Sequence, residues 1–154
     1  MTYKIEEMKL NELEETLELV KIVFDEFDAS YYTEEGIQNF YKFINYKCIS
    51  KGIANTLKIF IAKDDKKIIG MICIRDYSHI AMLFVDKKFH KQGIGTKLID
   101  KAKDYCKKYV EEITVNSSPY AIDFYQKIGF KANGLEKTID GITFLPMKVL
   151  INNI

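Results

Sequence analysis

From Leu83 to Asp100 the chain reads "LFVDKKFHKQGIGTKLID": an apolar run, a lysine-rich loop, two glycines one residue apart, then a helical pattern. In that setting Gly93 and Gly95 have a chemical use. The first N–H groups of a helix have no partner within the helix, and the helix dipole favours negative charge at that end. Glycines there remove the Cβ atoms that would hold a phosphate away. A plain tight turn would use the same residues. The spacing excludes two familiar phosphate sites. A dinucleotide fingerprint needs a third glycine where Leu98 stands, and a nucleoside-triphosphate loop needs Gly-Lys-Ser/Thr after four spacers, which "GIGTKL" does not supply. A pyrophosphate-like anion held by backbone amides is left. Lys87, Lys88, Lys91, Lys97, Lys101 and Lys103 crowd the same stretch, either as an anion-attracting rim or as a solvated helix face.

Two segments together carry a family resemblance. "FHKQGIGTKLI" resembles the acetyl-CoA signature of the GCN5-related N-acetyltransferase (GNAT) family, Gln/Arg-x-x-Gly-x-Gly/Ala, with His90, Lys91, Gln92, Gly93, Ile94 and Gly95 in its six positions. "VNSSPYAIDFYQKIGF", from Val115 to Phe130, resembles the family's strand-to-helix segment that ends in Phe-Tyr-x-Lys-x-Gly-Phe. The likeness covers roughly residues 55 to 150. His90 departs from the usual Gln or Arg, and Lys91 sits where many members carry a small residue. A grip through backbone N–H groups tolerates both changes.

The resemblance implies a mixed α/β (α+β) fold of the GNAT acyl-CoA N-acyltransferase type: a central, mostly antiparallel twisted sheet with helices on both faces. It implies acetyl-CoA as co-substrate, with no metal. Leu83, Phe84 and Val85 would offer main-chain groups to the pantetheine arm, and Lys91 to Thr96 would surround the pyrophosphate. Asn116 would bond the arm from the other side, unless it is only a turn residue. Phe124 and Lys127 complete the donor set, Lys127 toward the ribose phosphate. Tyr125 takes the acid role, because a phenol with a reference pKa of about 10 stays protonated at neutral pH and can donate to a departing thiolate. Its alternative is a core-facing aromatic. Some family members use a fourth-strand glutamate as base, and His79 falls near that place. A histidine suits a base near neutral pH, although a strand-start histidine is also an ordinary packing residue. The implied activity is transfer of acetyl to a primary amine of a small molecule or protein. The rival is a catalytically silent CoA-binding sensor on the same fold. The acceptor's identity is not legible.

These residues need elements to hold them. "YKIEEMKL" reads as a first strand. Asn11 with Glu14 makes a capping-box pattern, followed by a helix whose face is Leu13, Leu17, Val20, Phe24 and Phe27. A second helix starts at Thr33 and buries Ile37, Phe40, Ile44 and Cys48. "LKIFIAK", "KIIGMICIR" and "HIAMLFVD" form an antiparallel meander. A helix from about Ile94 to Tyr109 turns Leu98, Ile99, Ala102, Cys106 and Tyr109 inward. "EEITVN" should pair in parallel with the strand before that helix. Ser118 and Pro119 start a helix whose inward side is Ala121, Phe124, Tyr125 and Ile128, ended by Gly129. "FKANGLEKTI" and "ITFLPMKVLI" form a hairpin around Asp140-Gly141, with Pro146 marking an interrupted or edge strand able to mediate a homodimer.

Composition sets the outer bounds. One domain over residues 1–154 is expected, with 1–56 on the acceptor side and 57–150 carrying the CoA sheet, helices and hairpin. A net charge of +1 supplies no basic surplus for nucleic acid, so none is expected as partner. Asp25, Asp28, Tyr31, Tyr32, Glu34 and Glu35 lie in an aromatic, acidic stretch able to receive a cationic amine or simply to cap helices. Cys73 and Cys106 read as core residues, and three cysteines without paired spacing suggest neither disulfide nor zinc. The N-terminal stretch lacks the apolar run of a signal peptide and no run approaches membrane-spanning length, so no membrane partner and a cytoplasmic location are expected.

Overall fold

The computed structural model describes residues 2–151. Strand β1 (Lys4–Glu7) leads into α1 (Leu13–Val23), α2 (Glu34–Phe43) and α3 (Tyr46–Ile53). The meander follows as β2 (Leu57–Asp64), β3 (Lys67–Arg75) and β4 (His79–Val85), then α4 (Ile94–Cys106), β5 (Glu112–Ser117) and α5 (Ile122–Lys127). β6 (Lys131–Ala132), β7 (Lys137–Ile139) and β8 (Ile142–Leu150) close the chain. The strands order as β1-β2-β3-β4-β5-β8-β6, with β7 hydrogen-bonded to β8 alone. Among the described residues only the β4–β5 pair is parallel, as expected for strands joined by a crossover helix.

Helices cover both faces of this sheet. On one side α1 to α3 bury Leu13, Val20, Phe24, Phe40 and Ile49 against Ile59, Ile61, Met71 and Cys73. On the other, α4 and α5 bury Leu98, Ile99, Ala102 and Tyr125 against Phe60, Ile72, Ile74 and Val115. Strict alternation along a strand would send Ile80, Met82 and Phe84 to one face. Instead Ile80 joins the α4 side while Met82 and Phe84 join the α1 side. Ala81 is the cause: Cys73 pairs Met82 and Ile74 pairs Ile80, so Ala81 is an extra residue that flips the phase and bends β4.

Several local expectations need correction. Glu12, not Glu14, closes the first helix start, its carboxylate accepting the Lys9 N–H at 2.9 Å, while Asn11 lies inside a 3-10 turn. The second helix ends at Phe43, and Asn45 caps a separate α3 by accepting the Cys48 N–H at 3.1 Å. That restart rotates the stripe, so Ile49 is buried and Cys48 exposed. Tyr109 falls beyond α4 and is 55% exposed. The Asp140-Gly141 turn forms, both residues having positive φ (53° and 80°). "FKANGLEKTI" nevertheless divides into β6 and β7 around Gly134. Pro146 marks no edge: β8 is continuous between β5 and β6. Its carbonyl accepts Asn133 N–H at 2.7 Å, so its missing donor also faces that side, where β6 has already ended at Ala132.

Candidate active site

Strands β4 and β5 touch only at His79↔Thr114 and Ile80↔Val115. Past the Ala81 bulge they part, and a cleft of about 580 Å³ opens between them. Asp86 N–H donates to Ile69 O at 2.8 Å, facing β3. Alternation then turns the main-chain groups of Leu83 and Val85 the other way, into the cleft. Leu83 O and the N–H groups of Leu83 and Val85 are thereby offered to an extended, amide-bearing ligand. The Val85 carbonyl is taken by His90 Nε2 at 2.7 Å. His90 therefore closes the top of β4, a role quite different from the phosphate contact of a Gln or Arg.

The loop beyond β4 caps one end of the cleft. Lys91 (φ 63°) and Gly93 (φ 83°) are both left-handed, which curls the chain into the start of α4. The first helical bond runs from Lys97 N–H to Gly93 O. The N–H groups of Lys91 to Thr96 have no acceptor among the described residues. Such a turn at a helix N-terminus is a ready anion site. The two glycines divide the work. A Cβ on Gly93 would meet nothing within 4 Å, so that glycine serves the positive φ. A Cβ on Gly95 would sit 3.0 Å from the Phe124 ring, so its bareness lets α5 pack on the mouth of α4.

Phe124 in turn meets Tyr125 edge-on at 5.2 Å, and Phe130 holds the other side of Tyr125 at 5.1 Å. The Tyr125 side chain is only 4% exposed, yet it lines the cleft and its hydroxyl bonds no described residue. Burial, helped by the charge of Asp28, raises its pKa well above the usual phenol value. It is a fixed, fully protonated hydroxyl aimed at the cleft.

The opposite wall comes from the segment after α1. Phe24–Asp28 forms a π-helical turn, closed by Ala29 N–H to Phe24 O. Phe24 anchors it in the core, stacked on Phe40 at 4.0 Å. Phe27 spans the mouth, lying 4.9 Å from the His90 ring and 5.0 Å from Tyr120. Beside it, Asp28 lines the cleft with Tyr32, Ser118 and Tyr120. Desolvation pushes the Asp28 carboxyl from 3.8 to about 6, and the nearby Ser118 hydroxyl offsets this only partly. Burial, helped by the same carboxylate, pushes Tyr32 up to about 12.

One cleft thus brings together Leu83, Phe84, Val85, His90, Lys91, Gly93, Ile94, Gly95, Thr96, Asn116, Phe124, Tyr125 and Lys127. Gln92 is not among its lining residues and its amide donates to Lys88 O at 3.3 Å. His79 is also outside the lining: Nδ1 lies 2.7 Å from Thr114 Oγ1, and burial with the nearby Arg75 charge lowers its pKa to about 4. Of Asp25, Asp28, Tyr31, Tyr32, Glu34 and Glu35, only Asp28 and Tyr32 line the cleft. Asp25 instead pairs with Lys21 and accepts the Tyr41 hydroxyl, and Glu34 accepts from Gln38. Phe27 was expected only as part of the first helix's buried face and Tyr120 was not singled out, since a π turn carries no periodic signal of its own. Among the described residues no group of three His, Cys, Asp or Glu side chains could hold a metal ion.

Comparisons with known proteins give the family and the fold. Residues 28–151 match the family model described as the acetyltransferase (GNAT) domain. An uncharacterized N-acetyltransferase of Methanocaldococcus jannaschii is 29% identical over 150 residues, covering 88% of this chain. The chain spans 64% of that protein's length, and 60% and 55% of two other curated relatives. A GCN5-related N-acetyltransferase of Rhodopseudomonas palustris superposes with a TM-score of 0.84 at 19% identity, covering 97% of this chain and 96% of that one. The PaiA N-acetyltransferase of Thermoplasma acidophilum, solved in complex with coenzyme A, gives 0.79 at 21% identity, covering 97% and 99%. The chain belongs to the GNAT acetyltransferase family.

Proposed function

We propose that this protein moves an acetyl group from acetyl-CoA to a primary amine by direct attack of the nitrogen on the thioester. One observation carries the reading: open strand main chain, a helix N-terminus with free N–H groups and a buried tyrosine hydroxyl all line one cleft. The fit to the donor is chemical. Leu83 and Val85 supply amide partners for the pantetheine arm, and Lys91 to Thr96 supply N–H groups for the pyrophosphate. Asn116 and Lys127 flank the same space. Acetyl-CoA, when bound, supplies an acyl group on a good thiol leaving group.

The chain's residues do the rest. Tyr125, held between Phe124 and Phe130, keeps its proton at neutral pH and delivers it to the departing sulfur. The aromatic mouth of Phe27 and Tyr120 excludes water, which would otherwise compete as acceptor. Residues 1–56 supply the acceptor side through Phe27, Asp28 and Tyr32. His79, with a pKa lowered to about 4 and no place among the cleft's lining residues, is not given the base role in this reading. Thiol release from acetyl-CoA with primary amines tests the reading. Tyr125→Phe should lower turnover about tenfold or more and leave CoA affinity unchanged. Unchanged turnover would remove Tyr125 from the chemistry.

A further inference from the structure

We propose that Asp28 is the acceptor-side base: its carboxylate receives the acceptor as an ammonium ion and takes the proton that the nitrogen must shed before attack. This rests on the acyl-transfer reading above. Three observations carry it. Asp28 lines the same cleft as Tyr125, on the wall facing β4 and β5, where its charge reaches the Tyr125 phenol. No described cation pairs with it: desolvation dominates, and the nearby Ser118 hydroxyl opposes it only in part. The groups facing it are neutral phenols, Tyr32 from its own segment and Tyr120 and Tyr125 from the β5–α5 side, with the His90 ring beyond Phe27.

A half-buried carboxylate without a cation, walled by aromatic faces, is a site for an ammonium ion, since the rings attract the cation and the carboxylate neutralises it. Its pKa of about 6 leaves it ionised at neutral pH yet far more basic than an ordinary aspartate. Val23, Phe27, Tyr32, Phe40 and Tyr120 make the surroundings apolar, so the preferred acceptor is a primary amine on an apolar or aryl carbon chain. The step balances as follows. One ammonium proton passes to an Asp28 oxygen, and the freed nitrogen pair forms the C–N bond. The C–S bond breaks with its electrons on sulfur, which takes the Tyr125 proton. The second nitrogen proton restores the phenol, and Asp28 returns its proton to water.

The test compares wild type with Asp28→Asn, using methylamine, phenethylamine and spermidine as acceptors. CoA binding is measured first by calorimetry, and equal affinity shows that the variant is folded with an intact donor site. The kcat/KM of the variant at pH 7 should fall about 100-fold or more. Its pH profile should also change shape. Wild type levels off above about pH 6, because the ammonium form is used directly. The variant must wait for free amine and keeps climbing with slope one through pH 8. A variant within a few-fold of wild type, with the same plateau, overturns the assignment. If no amine is acetylated although CoA binds, the transfer reading fails on its own. Amine binding to the CoA complex then decides Asp28: heat seen with wild type and lost in Asp28→Asn supports the site, and equal or absent heat in both overturns it.

Discussion

Asp28 and His79 both titrate away from their usual values, in opposite directions, and the signs matter. The folded chain holds the Asp28 proton to about pH 6 while an unfolded one releases it near 3.8. Stability from this group is therefore present at acid pH and falls as pH rises from about 4 to 6. His79 is the reverse. Its folded pKa of about 4 lies below the ordinary 6.5, so its contribution is present above pH 6.5 and lost as pH falls through 4. Asp28→Asn should therefore melt above wild type at pH 7, by roughly 3 kcal/mol at most, and His79→Gln should gain on wild type at pH 5. Thermal melts across pH 4 to 8 check both; an Asp28→Asn variant less stable than wild type at pH 7 contradicts the desolvated carboxylate. Such a residue, costly to the fold, is expected where function demands it. Sequence marked Asp28 only as one acid among several, because nothing local distinguishes it from Asp25, which the same segment aims at Lys21. Gly93 and Gly95 were legible as a pair, but not their division of labour, which depends on Phe124, far along the chain from Gly95.

Among the elements, two departures from regularity build the cleft: the Ala81 bulge that bends β4 off β5 and the π turn that carries Phe27 and Asp28. Neither has a residue signature, which is why the strand and helix were legible while their functional irregularities were not. The α2–α3 break was masked by apolar residues 37, 40, 44 and 48, whose spacing continues through Asn45. The hairpin was legible from Asp140-Gly141 and proves to be a buttress. Thr33 N–H donates to Gly141 O at 3.0 Å, and Asn39 donates to Asp140 O. A Cβ on Gly36 would stand 2.2 Å from Gly141 O, a backbone atom. Helix propensity alone would favour Gly36→Ala by about 0.5–1 kcal/mol. The backbone clash costs roughly 1–3 kcal/mol and should win. Chemical denaturation should show net destabilisation; a more stable variant would mean that the hairpin does not clamp α2.

At the scale of the whole molecule, a twisted sheet is covered on both faces and opened at one place, where its single parallel pair begins to part. The order of elements and the donor loop were readable because the strand meander, the glycine turn and the "DFYQKIGF" segment are local patterns. The acceptor wall was not, since it arises where a turn after α1 meets a turn after β5, far apart in sequence. Among the described residues no helix is long and apolar enough to cross a membrane. The whole account stands on one cleft serving both donor and acceptor. The most direct test is thiol release from acetyl-CoA by the wild-type chain, with and without each primary amine, matched to acetylated product by mass spectrometry. The account predicts amine-dependent release with one acetylated amine formed per thiol. Tight CoA binding with no amine-dependent release across the panel would contradict it and leave a CoA-binding module without catalysis.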